Sequence, residues 1–185
     1  MKHRAGEIVE VQVTWLEMTA RPSYPHPHLP GGAVSALVAA EAPAPWYFLA
    51  LYDAVGSDYD WTDQHERSDA ELAAWLADPK VTLWTFLRSG WPHGFFILDC
   101  TTEETCNLAY FGLVPEAVGR GLGTFLLETA VHTAWEMPGV ARLTVDTNSL
   151  DHPRALPLYQ KAGFTPVRRE TVTRTLTRDR TLIGV

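Results

Sequence analysis

The sequence predicts a single α+β domain in which strands and helices interleave. The chain has 185 residues, of which 46% are hydrophobic and 20% charged, the size and balance of one globular domain with a full core. Its middle carries three successive runs of strand-forming residues joined by short turns, a pattern typical of an antiparallel meander. Segments with helical periodicity flank that meander. Because no repeat, linker or change in composition divides the chain, we expect one domain over residues 1–185.

The first 79 residues are expected to form one strand and three helices. Residues Glu7 to Met18 alternate apolar and polar side chains and are rich in valine, which predicts a strand. The proline-rich stretch 19–32 excludes regular structure. A capping box of Ser68 and Glu71 predicts the start of a helix that Pro79 ends. Helices are therefore predicted over 33–42, 44–56 and 68–79.

The rest of the chain is expected to form strands around two further helices. One helix follows the meander and runs to about Glu136, and a strand comes next over 140–148. The last helix, within 152–163, contains Pro157, which predicts a late start or a bend. One or two strands over 164–176 complete the fold. The three strands of the meander are predicted over 80–88, 93–100 and 107–114.

Charge, hydropathy and cysteine content limit which kinds of partner and which cellular compartment are expected for this chain. The formal net charge is −7 and no basic run precedes the C-terminal tail, which argues against a nucleic-acid groove. No stretch approaches about 18 uninterrupted apolar residues, so no membrane span is expected. Cys100 and Cys106 flank a predicted hairpin tip, and no secretion signal precedes them. We therefore expect a cytoplasmic protein with both thiols free.

Three glycines on alternate positions stand where the helix after the meander begins. In PEAVGRGLGTFLLETAVHTAW, Gly119, Gly121 and Gly123 lie between a strand and a helix, which places bare amides at the positive end of a helix dipole. A P-loop would need Lys-Ser/Thr where Thr124 and Phe125 stand, and the dinucleotide fingerprint has a different spacing. The pattern predicts an anion site; the alternative is a turn that lets helix and strand pack closely.

Two motifs together resemble the GNAT acyltransferase superfamily. Residues 118–123 are similar to its acyl-CoA-binding motif Q/R-x-x-G-x-G/A, with Val118 in place of Gln or Arg. The segment RALPLYQKAGF is similar to the second signature, A-x-x-L-Y-x-x-x-G-F. The resemblance covers about residues 80–170, as an acyl-CoA-binding core, and leaves about 1–79 as the acceptor side. It implies a central mixed, mostly antiparallel sheet of about six to seven strands with helices on both faces.

The resemblance also implies which residues would bind acetyl-CoA. Amides of the glycine turn would hold the pyrophosphate, with Arg120 reaching the phosphates. A splayed fourth strand would offer its backbone to the thioester and the pantetheine arm, and His152 stands where many members carry an Asn that contacts this arm. The implied residues are Gly112, Leu113, Val114, Gly119, Arg120, Gly121, Leu122, Gly123, Thr124 and His152.

The reaction implied is acyl transfer, most simply of an acetyl group, to a primary amine of a small molecule or peptide by direct attack in a ternary complex. Tyr159 would protonate the leaving thiolate, since a phenol pKa of about 10 suits a thiolate of about 8.5; the alternative for Tyr159 is aromatic packing. Candidate bases are the carboxylates nearest the meander and the fifth strand, with no metal expected and a homodimer possible. These carboxylates are Asp99, Glu103, Glu104 and Asp146.

Two other functions stay open at the level of the sequence. One is a GNAT-like domain that binds acyl-CoA without turnover, as a sensor or partner-binding module. The other is a nucleotide-phosphate binder of unrelated chemistry, which fits the glycine turn but not the second signature. Tyr159 favours the enzyme over the silent module.

Overall fold

Within the residues that the structure describes, 2–181, seven strands form a central sheet and four α-helices cover its faces. The structure is a computed structural model. Its helices are α1 Pro45–Gly56, α2 Asp69–Leu76, α3 Leu122–Glu136 and α4 Ala155–Lys161. Its strands are β1 Lys2–His3, β2 Ile8–Met18, β3 Ser35–Ala40, β4 Val81–Arg88, β5 Trp91–Asp99, β6 Thr105–Leu113, β7 Arg142–Asn148, β8 Thr165–Thr175 and β9 Arg180–Thr181.

The sheet is mixed, and one pair of neighbouring strands near its centre is parallel. Its strand order is β3-β4-β5-β6-β7-β2-β8, and β1 and β9 form a separate small pair. Neighbouring strands are antiparallel except β6 and β7, which are parallel. Among the described residues, β6 and β7 pair from Thr105 to Asn107 on one side and from Arg142 to Thr144 on the other. Beyond Asn107 the two strands diverge and leave a gap in the sheet.

A bulge in β6 accompanies this divergence. Ile97 pairs with Tyr110 and Leu98 pairs with Leu108, so the register shifts between them and Ala109 is the extra residue. In a regular strand, Leu108 and Phe111 would point to opposite faces, because side chains alternate. The extra residue places both on one face and Tyr110 on the other. Phe111 lies beside Tyr159 of α4, whereas Tyr110 lies beside Phe48 of α1.

The helices pack on opposite faces of the sheet. Phe48 of α1 is fully buried against Phe95 of β5, with ring centroids 6.4 Å apart. On the other face, Phe125 of α3 packs against Phe86 of β4 at 5.1 Å. Burying such aromatic side chains on both faces supplies much of the driving force for folding. The predicted α+β class, with a mixed, mostly antiparallel sheet between two helical layers, is confirmed.

Most predicted elements are confirmed, and the capping box of Ser68 and Glu71 is present at the start of α2. The last helix does begin late, at Ala155, so that Pro157 falls in its first turn, where a backbone N–H has no intrahelical acceptor. The helix predicted over 33–42 is wrong. Ser35–Ala40 is an edge strand that pairs with β4, because pairing along that open edge outweighs the helix propensity of its alanines.

The prediction of two free thiols is also wrong. Cys100 and Cys106 form a disulfide, with Cα atoms 4.1 Å apart. The two residues lie where β5 ends and β6 begins, so the hairpin itself brings them face to face. The two cysteines were expected near each other at the hairpin tip, and free thiols were expected only because no secretion signal precedes them.

Substituting Gly94 tests how tightly β5 and β6 approach each other. A Cβ added at Gly94 would lie 2.5 Å from the carbonyl oxygen of Gly112, a backbone atom that cannot rotate away. We expect Gly94→Ala to lower the free energy of unfolding by about 1–3 kcal/mol, the usual effect of overpacking a core. Denaturant unfolding measures this. The control is Gly31→Ala, whose added Cβ has no atom within 4 Å; equal stability of the two variants would contradict the register.

Candidate active site

A cavity of about 690 Å³ opens where β6 and β7 diverge. On one side it is lined by residues of α3 and α4, among them Gly123 and Tyr159, and we call this the α3 side. On the other it is lined by residues of α2 and of the segment after α1, among them Asp63 and Trp75, and we call this the α1 side. Two molecules entering from opposite faces of the sheet can therefore meet at the gap.

The glycine turn opens onto the α3 side. Gly119 and Gly121 have φ of +82° and +74°, a conformation that glycine adopts without strain. A Cβ at either position would have no atom within 4 Å, so close packing does not require them. A Cβ at Gly123 would meet Leu158 and Leu113 at 3.7 and 3.8 Å, which is ordinary contact. The turn therefore keeps its surface bare for a reason other than the approach of helix and strand.

The first turn of α3 has the form of an anion site. The helix begins at Leu122 with Gly121 as its N-cap, and no described side chain caps it. The amides of its first turn lack intrahelical acceptors, and the dipole makes this end positive. Arg120 lies exposed in the same turn and adds a full positive charge. This arrangement suits a phosphate group.

The open edge of β6 supplies further backbone groups. The Val114 amide donates to the carbonyl of His93 at 3.0 Å, so Val114 belongs to the bonded set of the β5–β6 ladder. Because bonded and free residues alternate in an antiparallel pair, Gly112 also faces β5, whereas Phe111 and Leu113 turn their amides toward the gap. Of the predicted trio Gly112, Leu113 and Val114, Leu113 thus carries the free backbone groups.

Tyr159 lies on α4 beside the gap. Its ring is buried between Phe111 and Phe164, with both centroid distances 6.0 Å. Among the described residues its hydroxyl has no hydrogen-bond partner, and the side chain lines the cavity. Burial raises the pKa of Tyr159 well above its ordinary value, and the charges of Asp151 and Asp146 raise it further. The phenol is therefore protonated at neutral pH.

His152 lies on the loop before α4 and also lines the cavity. Its Nδ1 atom accepts a hydrogen bond from the Arg154 amide at 3.1 Å. In the neutral ring the proton must then be on Nε2, which leaves this atom as a donor. His152 can therefore donate a hydrogen bond to a carbonyl oxygen in the cavity.

The predicted carboxylates separate into two groups. Glu103 and Glu104 are exposed in the hairpin turn and do not line the cavity, whereas Asp99 and Asp146 do. Asp99 accepts hydrogen bonds from the Trp75 indole at 2.8 Å and from the hydroxyl of its neighbour Thr101. Burial alone would raise the pKa of Asp99, but these hydrogen bonds outweigh it and hold the pKa below its ordinary value.

Asp146 has the opposite electrostatic character. It lies on β7 with its side chain exposed to the cavity, and no described residue donates a hydrogen bond to it. Surrounding protein atoms raise the pKa of Asp146, and the negative charge of Asp151 raises it further, while Arg174 opposes them. Of the carboxylates predicted from the sequence, Asp146 is thus the one that can most readily take up a proton.

Asp63 is a site residue that the sequence analysis missed. Its carboxylate accepts hydrogen bonds from the hydroxyls of Tyr52 and Tyr110, at 2.7 and 2.5 Å, and from the amide of Gln64 at 3.0 Å. Burial would raise the pKa of Asp63, but these donors outweigh it and lower the pKa. The cluster joins a loop residue to α1 and β6, so no local motif indicates it.

Residues 2–181 lack the features of a metal cluster and of a membrane-spanning helix. No group of three or more His, Cys, Asp or Glu residues in this range is placed to hold a metal ion. In the same range no helix is both long and apolar enough to cross a bilayer.

The chain is similar to one family profile and to several solved structures. The profile of the acetyltransferase (GNAT) family matches residues 48–164. A GCN5-related N-acetyltransferase from Sphaerobacter thermophilus has a TM-score of 0.66 at 18% identity, over 96% of this chain and 53% of that one. A GCN5-related N-acetyltransferase from Kribbella flavida has a TM-score of 0.59 at 16% identity, over 90% of this chain and 58% of that one. No curated protein matches the sequence.

A third structure is shorter. It is an aminoglycoside acetyltransferase from an uncultured soil metagenomic sample, with a TM-score of 0.55 at 13% identity over 69% of this chain and 86% of that one. The chain spans a little over half the length of the Sphaerobacter and Kribbella proteins. At these identities the likeness shows a shared fold.

Proposed function

The chain belongs to the GNAT acetyltransferase family, whose profile covers more than half of its 185 residues, and from this premise we propose that it transfers an acetyl group from acetyl-CoA to the primary amine of a small molecule or peptide. One observation carries the proposal. The cavity at the divergence of β6 and β7 joins a bare anion site on its α3 side to a carboxylate-rich wall on its α1 side.

The residues on the α3 side fit the coenzyme. The uncapped amides at the start of α3 bind the pyrophosphate, with Arg120 beside them. The free amide of Leu113 and the Nε2 donor of His152 serve the amide groups of the pantetheine arm. Both residues line the same cavity as Gly119, Gly121 and Gly123 of the glycine turn.

The chemistry needs one proton supplied and one removed. As the amine nitrogen bonds to the acetyl carbon, the carbon–sulfur bond breaks and the departing thiolate takes a proton. Tyr159 supplies it, because its phenol is protonated at neutral pH and its side chain lines the cavity; its raised pKa makes it a weaker acid than a free phenol. The amine proton passes to Asp146, directly or through water, because this carboxylate has a raised pKa. Asp63 and Asp99 are weaker bases, since hydrogen bonds stabilise their ionised forms.

Substituting Gly123 tests the coenzyme site. An added Cβ there meets only ordinary contacts within the protein, and we expect the methyl groups of a valine to extend from it into the cavity that Gly123 lines. We expect Gly123→Val to weaken CoA binding at least about tenfold, because charge-assisted hydrogen bonds of about 1.5–3 kcal/mol each are blocked. Calorimetry measures the affinity. Gly31→Val is the control, since its side chain points into open space. Unchanged affinity in the folded Gly123 variant would place CoA elsewhere.

Substituting Tyr159 tests the general acid. Tyr159→Phe keeps the buried ring and removes the proton, so we expect turnover to fall by about 10²- to 10⁴-fold with CoA affinity and melting temperature unchanged. Thiol release at saturating acetyl-CoA with an accepted amine measures turnover. Tyr159→Ala, measured beside it, reports the loss of packing. Full turnover in the Phe variant would remove Tyr159 from the chemistry, and CoA binding without thiol release for any amine would instead indicate a silent acyl-CoA-binding domain.

A further inference from the structure

Aromatic rings form much of the α1 side of the cavity. Trp61, Trp75 and Tyr110 are each half-buried and line it. The centroids of the Trp61 and Tyr110 rings are 5.4 Å apart, and those of Trp75 and Tyr110 are 6.5 Å apart. The three rings thus make one continuous surface, which we call the aromatic wall. Such a surface accepts an apolar body.

Each ring of the aromatic wall donates its polar hydrogen to a carboxylate. The Trp61 indole donates to Asp151 at 3.1 Å, and the Trp75 indole donates to Asp99 at 2.8 Å. The Tyr110 hydroxyl donates to Asp63 at 2.5 Å. These bonds occupy the polar edges of the rings and increase the electron density over their faces. A face of this kind attracts a cation.

One cation of the protein already uses this wall. The guanidinium of Arg67 lies 5.2 Å from the centre of the Trp75 ring. It donates to the side chain of Gln64 and to the carbonyl of Glu71, so its hydrogen bonds are directed into the protein. The Arg67 contact places one delocalised cation over the Trp75 ring.

The carboxylate nearest the centre of this wall is held in place as an anion. Tyr52, Tyr110 and Gln64 fix the orientation of Asp63, while its side chain is exposed at the cavity surface. Asp146 adds a second negative charge within Coulombic reach of Asp63. The described arginines that line the cavity are Arg67, directed into the protein, Arg174, which faces Asp146, and Arg154, at the start of α4 on the other side.

We propose that the α1 side of the cavity binds an organic cation: an acceptor whose ammonium group faces Asp63 and whose apolar body packs on Trp61, Trp75 and Tyr110. That this cation is the acetyl acceptor rests on the proposed function. The substrate class is then a primary amine with an alkyl or aryl body. A free amino acid is disfavoured, because its carboxylate would enter a wall already lined by Asp63, Asp99 and Asp146.

Binding is tested with a cation that has no N–H to acetylate. The probe is phenylethyltrimethylammonium, and its matched neutral probe is 2-phenylethanol; titration calorimetry and the tryptophan fluorescence of the wall report binding to the intact protein. We expect the cation to bind at least about tenfold more tightly than the alcohol, and to compete with 2-phenylethylamine as acceptor. Equal affinity of the two probes for the wild-type protein would overturn the proposal.

The second arm is a pair of variants with the same change in charge. Asp63→Asn is expected to weaken binding of the cation at least about tenfold and to leave the alcohol unaffected. Asp69→Asn, on the exposed first turn of α2, is expected to leave both unaffected. Undiminished cation binding in a folded Asp63→Asn protein would overturn the proposal. Acetylation of phenylalanine at the same rate as 2-phenylethylamine would also overturn it.

Separate results would contradict the cation site and the acetyltransferase activity. Tight binding of the quaternary cation without acetylation of any amine would support the cation site and contradict the acetyltransferase. Acetylation of amines together with weak, charge-independent binding of the cation would support the acetyltransferase and contradict the cation site.

Discussion

The short parallel pairing between β6 and β7 is the constraint on which the rest of the site depends. Each strand has a longer antiparallel pairing on its other side, β6 with β5 and β7 with β2, so neither follows the other beyond the pair of Asn107 and Thr144. The gap exposes backbone amides that an ordinary sheet would satisfy, and such groups bind a ligand or water. The bulge at Ala109 lies where the divergence starts and turns alternate side chains toward the two halves of the cavity.

Two aspartates in one cavity differ because of their hydrogen bonds. Asp63 accepts from two phenols and an amide, which stabilise the ionised carboxylate, while Asp146 has no donor among the described residues. The pKa of Asp63 is consequently lowered and that of Asp146 raised. Opposite shifts in neighbouring groups separate a permanent charge from a proton carrier. In the proposed reaction Asp63 holds the cation and Asp146 takes up its proton.

The sequence predicted those features that are local in the chain. Period and capping located most helices and strands, and the glycines located the turn before α3 because positive φ and bare amides are properties of a few consecutive residues. The alanine-rich β3 was missed since its conformation comes from pairing with β4. Asp63 was missed for a related reason: its role arises from Tyr52 and Tyr110, which are brought together by α1 and β6. Such contacts exist in the folded chain and leave no pattern along it.

A crystal structure with bound CoA is the most direct test of the central claim that the gap between β6 and β7 is where coenzyme and acceptor meet. We expect the pyrophosphate to bind the amides of residues 121–124 and the pantetheine arm to lie along the open edge of β6 beside Leu113. The sulfur is expected next to the Tyr159 hydroxyl. A coenzyme bound outside the gap, or one whose sulfur lies beyond contact with Tyr159, would contradict it.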